Sequence, residues 1–172
     1  MAKSETTKFF SNKQEKLIAN ELGGYPVGLS GAGPANPGDV RTYDWLVECK
    51  THTSPDHNII FNLDVWKKIE DEAMAMHRKP VLIVDDGSQS LKKTWCLCRA
   101  NNIDLSGTIS ADLPLQVKKN ITCKQDKLAS HLVDSTKEFM CDLYEYAVYE
   151  VEWNNETVIV MPFETFKEKF EK

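Results

Sequence analysis

Hydrophobic and polar positions along this chain change period several times, and the changes divide it into elements. From Asn62 to His77 the apolar residues Val65, Trp66, Ile69, Ala73 and Met76 recur at helical spacing, with Asn62 or Asp64 as the cap. PVLIV at 80–84 is uninterrupted and apolar, which predicts a strand buried on both faces. Val40 to Lys50 is β-prone, and residues 92–100 predict another strand. Two β-prone runs flank Asn154-Asn155, a hairpin signal, and a helix from about 163 to 171 closes the chain.

Upstream, Ser11 and Gln14 match a capping box opening a short helix that carries Leu17, Ile18 and Leu22 on one side. Gly23 and Gly24 stop it, and residues 1–10 are expected to form a mobile arm. YPVGLSGAGPANPGD has no periodicity and predicts a long loop, the kind that carries function. THTSPDHN, 51–58, predicts a second loop. Residues 101–130 show no clear element, and a helix is expected over about 131–143, burying Leu132, Phe139 and Leu143. The class is α/β or α+β: one mixed central sheet flanked by helices, with a C-terminal hairpin and helix as an extension.

Composition narrows the setting. A length of 172 residues predicts one domain, and 41% hydrophobic with 27% charged residues describes a globular chain. No run has the apolar length to cross a bilayer, and the N-terminus is too polar for a secretory signal, so a cytoplasmic location without a membrane partner is expected. Five cysteines without a compact framework argue against disulfides. Cys96 and Cys98 form C-x-C on an expected strand; with no nearby completing ligands, buried thiols are favoured over zinc. Net charge is −5, but the acidity is local: residues 1–130 carry 17 basic and 16 acidic groups, residues 131–172 carry 4 and 10. The lysine pairs Lys67/Lys68, Lys92/Lys93 and Lys118/Lys119 can meet phosphates or simply face solvent.

The stretch GDVRTYDWLVECK, 38–50, carries the candidate chemistry. On a strand, Glu48 and Lys50 share a face about 7 Å apart. A two-residue turn at Tyr43-Asp44 pairs Val40 with Val47 and lands Asp39 opposite Glu48, where like charges about 5 Å apart repel. Two such carboxylates share a proton or a cation. Oxygen donors suit Mg²⁺ or Mn²⁺, with substrate phosphate filling the remaining positions and Lys50 acting on the attacking water and the phosphoryl charge. The plainer alternative is an ion pair between Glu48 and Lys50 on a solvated face, with Asp39 ending a turn.

This order of a short helix, a Gly/Pro loop, the D-x8-E-x-K strands, a helix and a buried strand resembles the PD-(D/E)XK nuclease superfamily over about residues 11–84. It is closest to archaeal Holliday junction resolvases and similar phage nucleases. The resemblance implies a restriction-endonuclease-like core over 11–100, elaborated by 101–172. It makes Asp39 and Glu48 metal ligands, Lys50 the catalytic lysine and Glu15 a further metal ligand, with Ser30 on the scissile strand. Arg41, Lys67 and Lys68 are the expected nucleic-acid contacts. It further implies a Mg²⁺-dependent endonuclease (Mn²⁺ substituting) for branched DNA in recombination, repair or phage DNA processing, working in the host cytoplasm if phage-encoded. Two cuts in a symmetric junction imply a homodimer, and no organic cofactor is expected. A nuclease of duplex DNA, single-stranded DNA or RNA, or a non-catalytic module of the same fold, is the alternative. Gly38 stands where the literal motif has proline, with Pro37 displaced by one.

Overall fold

A computed structural model describes residues 6–28, 36–105, 115–132 and 148–170. Helix α1 (Thr7–Glu21) leads to strand β1 (Tyr25–Pro26) and the hairpin β2 (Val40–Arg41) and β3 (Trp45–Lys50). β4 (Asn58–Phe61), α2 (Leu63–Ala75), β5 (Lys79–Asp85) and β6 (Thr94–Arg99) follow. Then come β7 (Leu115–Val117), β8 (Ile121–Lys124), the single turn α3 (Leu128–His131), the hairpin β9 (Tyr149–Trp153) and β10 (Glu156–Pro162), and α4 (Phe163–Phe170). The result is mixed α/β.

Eight strands form the central sheet in the order β1-β2-β3-β5-β6-β10-β9-β7. β3 runs parallel to β5 because α2 returns the chain between them, and β6 and β10 continue the sheet antiparallel. The C-terminal hairpin is therefore inside the sheet, beside β6, with Asn154 and Asn155 both at positive φ as a tight hairpin turn requires. On one face, α1 and α4 cover Trp45, Val47, Val81, Ile83, Cys96 and Cys98. On the other, α2 and a small β4–β8 ribbon cover Leu46, Leu82, Val84 and Leu97. Alternation along β3 and β5 sends successive residues to opposite cores, which explains why PVLIV is apolar throughout.

Two expectations change. α1 begins at Thr7, a turn before the expected start, so 7–10 are helical and the Ser11–Gln14 capping box is not formed. Gln14 is instead buried and reaches across to β3. The expected 51–58 loop gives way at Asn58 to strand β4, Asn58–Phe61, which pairs with Ile121–Lys124 some sixty residues away and so has no local signal. The helix expected over 131–143 falls almost wholly outside the described residues, as do Ser30 and residues 1–5. Among the described residues no helix is long and apolar enough to cross a membrane.

Candidate functional site

The hairpin that carries Asp39, Glu48 and Lys50 closes as its spacing predicts. Val40 pairs with Val47 and Arg41 with Leu46. The Thr42 N–H donates to the Trp45 carbonyl at 3.1 Å. The Thr42 hydroxyl also accepts the Trp45 N–H at 3.1 Å, a side-chain clasp that lets Tyr43-Asp44 make the turn. Just before the hairpin, Gly38 has φ +71, and a Cβ there would sit 2.7 Å from Leu46 Cδ1. Proline cannot adopt that φ, so the displacement of Pro37 by one position has a steric cause.

Asp39 is fixed at three points. Its N–H donates to the Val47 carbonyl, its carbonyl accepts the Val27 N–H, and its Oδ2 accepts the Cys49 N–H, each at 2.8 Å. The last bond lays the carboxylate against β3 between Glu48 and Lys50. Glu48 is buried, and its Oε1 is 2.5 Å from Lys50 Nζ. The other side is supplied by α1, where Gln14 Nε2 donates to the Lys50 carbonyl at 3.0 Å and brings neighbouring Glu15 in, 8% exposed.

Glu15 and Lys50 both lie within electrostatic reach of Asp39 and Glu48. Burial, then the charges of Asp39 and Glu48, push the Glu15 carboxyl up to about 7, against the pull of Lys50. Burial works against the Lys50 ammonium, but Glu48 and Asp39 outweigh it and hold its pKa above the ordinary lysine value. The negative charges of Asp39 and Glu48 act on both Glu15 and the one ammonium, Lys50. The oxygen-only donor set and that charge fit a hard divalent cation such as Mg²⁺ or Mn²⁺. Among the described residues no three His, Cys, Asp or Glu side chains are already gathered in a metal-holding arrangement, and the Lys50 ammonium serves as counterion to Glu48.

The other sequence candidates lie apart from this cluster. The Arg41 guanidinium turns back to the Pro37 carbonyl at 3.2 Å. Lys67 is 2.7 Å from Glu156 and 3.5 Å from Glu70, and Lys68 is 3.6 Å from Glu72. Both lysines thus sit in ion pairs with carboxylates. Cys96 and Cys98 share a buried apolar face, and burial pushes the Cys98 thiol up to about 12.

Beside the cluster lies a support the sequence pattern did not reveal. The Thr51 hydroxyl donates to Asp85 Oδ1 at 2.5 Å, and the Gly87 N–H donates to the same oxygen at 2.9 Å. Gly87 has φ +92, and a Cβ there would meet the Ser54 carbonyl at 1.9 Å. The signal was available as Asp-Asp-Gly directly after an apolar strand, a turn in which Asp85 closes onto its own backbone. This lock fixes the chain just beyond Lys50. Compared with protein-family models, curated proteins and solved structures, the chain gives no match.

Proposed function

We propose that the chain is a metal-dependent endonuclease with a restriction-endonuclease-like core, hydrolysing phosphodiester bonds of DNA, branched DNA foremost. The observation that carries this reading is the hairpin geometry that sets Asp39, bonded to the Cys49 N–H, beside the Glu48–Lys50 pair on β3, with buried Glu15 of α1 close enough to feel their charge. The run of α1, hairpin, α2 and parallel β5 supports the same reading.

Asp39, Glu48 and Glu15 are the residues that would hold Mg²⁺ or Mn²⁺. The bound ion neutralises phosphate charge and makes a coordinated water more acidic. Lys50 enters protonated, so it donates to a non-bridging phosphate oxygen and stabilises the charge that grows there, rather than taking a proton from water. Asp39, tied to the Cys49 amide, keeps its carboxylate placed without rearrangement. Glu15, raised to about 7, is partly protonated near neutral pH and would release that proton beside a bound cation. Ser30 is proposed as a contact to the cut strand, and a homodimer as the state that cuts both arms of a junction.

The test is cleavage of four-way junctions, flaps and linear duplexes by the purified protein with Mg²⁺. Metal-dependent cutting, foremost of the branched substrates, that disappears in Asp39→Asn is the expected result. Inertness toward every substrate, with Asp39→Asn indistinguishable from the native chain, would overturn it.

A further inference from the structure

β3 and β5 are in register, pairing Glu48 with Leu82 and Lys50 with Val84. Paired residues on neighbouring strands point to one face about 4.8 Å apart, so an apolar strip runs directly alongside the Glu48–Lys50 pair. That strip is the floor of a crevice of about 260 Å³ walled by Ile60 of β4 and Val65 of α2. Its rim is polar: Lys50 itself, Thr51, His52 and Asn62.

Each rim group is held in place. Asn62 Oδ1 accepts the Val65 N–H at 3.1 Å as the cap of α2, which orients the amide of that side chain. Thr51 donates its proton to Asp85, so its oxygen remains an acceptor. The His52 ring is stacked on His57 with centroids 4.3 Å apart and planes 15° from parallel, giving the rim a fixed aromatic surface. The volume lies below the ~300–1,000 Å³ of pockets for drug-sized ligands, which suits one small planar group and not a stack of several.

We infer that this crevice, opening at Lys50 beside the paired strands, receives a single unpaired nucleobase next to the phosphate being cut. The aliphatic lining, with an amide and an imidazole at the edge, offers an unstacked base apolar contact and hydrogen-bond partners. A continuous duplex offers no such base without unpairing, whereas a flap, a junction or a single strand does. The inference rests on the nuclease reading and makes its substrate class narrower: DNA with an unpaired nucleotide at the cleavage point.

The probe is a flap oligonucleotide with 2-aminopurine as its first unpaired base, and the matching continuous duplex, bound to the Asp39→Asn protein. The fluorescence of 2-aminopurine should change at least twofold on binding the flap, and flap-over-duplex affinity should fall at least tenfold when Val65→Phe fills the crevice. No fluorescence change with the native crevice overturns the inference without recourse to any variant. Val65→Ala, which keeps the crevice open, should retain the preference; where Val65→Phe lowers the melting temperature, this variant and the fluorescence decide. Flap-selective binding lost in Val65→Phe, in a native protein that cuts nothing, keeps the pocket and overturns the nuclease. Equal cleavage of flap and duplex by the native and Val65→Phe proteins keeps the nuclease and overturns the pocket.

Discussion

Two clusters of charge are built into this sheet, and their composition differs. At the Lys50 end of β3, three carboxylates (Glu15, Asp39 and Glu48) face one ammonium. Near the Arg99 end of β6, Glu70 and Glu156 face two cations. Arg99 Nε is 2.6 Å from Glu70 and its Nη2 is 3.2 Å from Glu156, while Lys67 bridges the same two carboxylates. Both clusters contain a carboxyl raised by burial, Glu15 in one and Glu70 in the other. A raised pKa therefore does not separate function from architecture. Composition does: the Glu70 cluster pairs two carboxylates with two cations, whereas the Glu15 cluster sets three carboxyl groups beside one ammonium.

The largest effect expected follows from that contrast. Asp39→Asn removes the negative charge that the proposed cation meets, and cleavage should fall about 1,000-fold, on the order of 4 kcal/mol in the barrier. Its melting temperature should stay level or rise, because repulsion in the cluster falls. Glu70→Gln should do the reverse, lowering stability by about 2 kcal/mol through the uncompensated cations while cleavage by the folded protein persists. Denaturant unfolding and a cleavage assay on both variants give the four readings. A large stability loss in Asp39→Asn would erase the distinction between the clusters.

The hairpin of the first cluster was legible because it is local. Its period of two and its turn length fixed Val40 opposite Val47, and Asn154-Asn155 fixed the second hairpin in the same way. The Asn62 cap was legible for the same reason. Non-local pairing was not: β4 finds β8, and β7 lies parallel to β9, through contacts that neither segment announces. Glu15 entered through family resemblance; its physical basis, the Gln14 bond to the Lys50 carbonyl, joins residues 36 apart and has no periodic signature. The Glu70–Arg99 network was hidden too, since it joins α2, β6 and β10; within α2 the sequence offered only local partners such as Glu70 for Lys67.

Acidity should separate the clusters next. The Glu15 carboxyl sits near 7 in the folded protein against an ordinary 4.5. A raised pKa gives stability that is complete below about 4.5 and lost as pH rises through about 7. In metal-free buffer the chain should therefore lose up to about 3 kcal/mol across that window, and Mg²⁺ should restore part of it above pH 7. Thermal melts with and without EDTA at pH 5.5 and 8 measure this. Glu15→Gln should flatten the profile; an unchanged slope would assign the pH dependence elsewhere.

Backbone strain gives a smaller effect. Gly38→Ala places a Cβ against Leu46 and the Val47 carbonyl at φ +71, and should cost about 2 kcal/mol. Gly23→Ala, at φ +62 with nothing within 4 Å, should cost about 1 kcal/mol. Urea unfolding distinguishes them, and the Gly38 variant should also lose cleavage because the clash falls on the hairpin that places Asp39. Equal costs would show that the contact with Leu46 relaxes freely and does not hold the first cluster in shape.

The smallest effect bears on the second cluster. Lys68 is more than half exposed, and its pair with Glu72 spans 3.6 Å, so Lys68→Ala should cost no more than about 0.5 kcal/mol. If α2 takes no part in binding DNA, the salt dependence of binding should be the same in Lys68→Ala as in the native chain. A lysine meeting a phosphate would lower the slope of log affinity against log salt by about one. Lys67→Ala should differ from Lys68→Ala in stability alone, because Lys67 also joins Glu70 to Glu156. A drop in slope for either variant would mean that the Glu70 cluster also borders the DNA path. Composition would then no longer tell the two clusters apart.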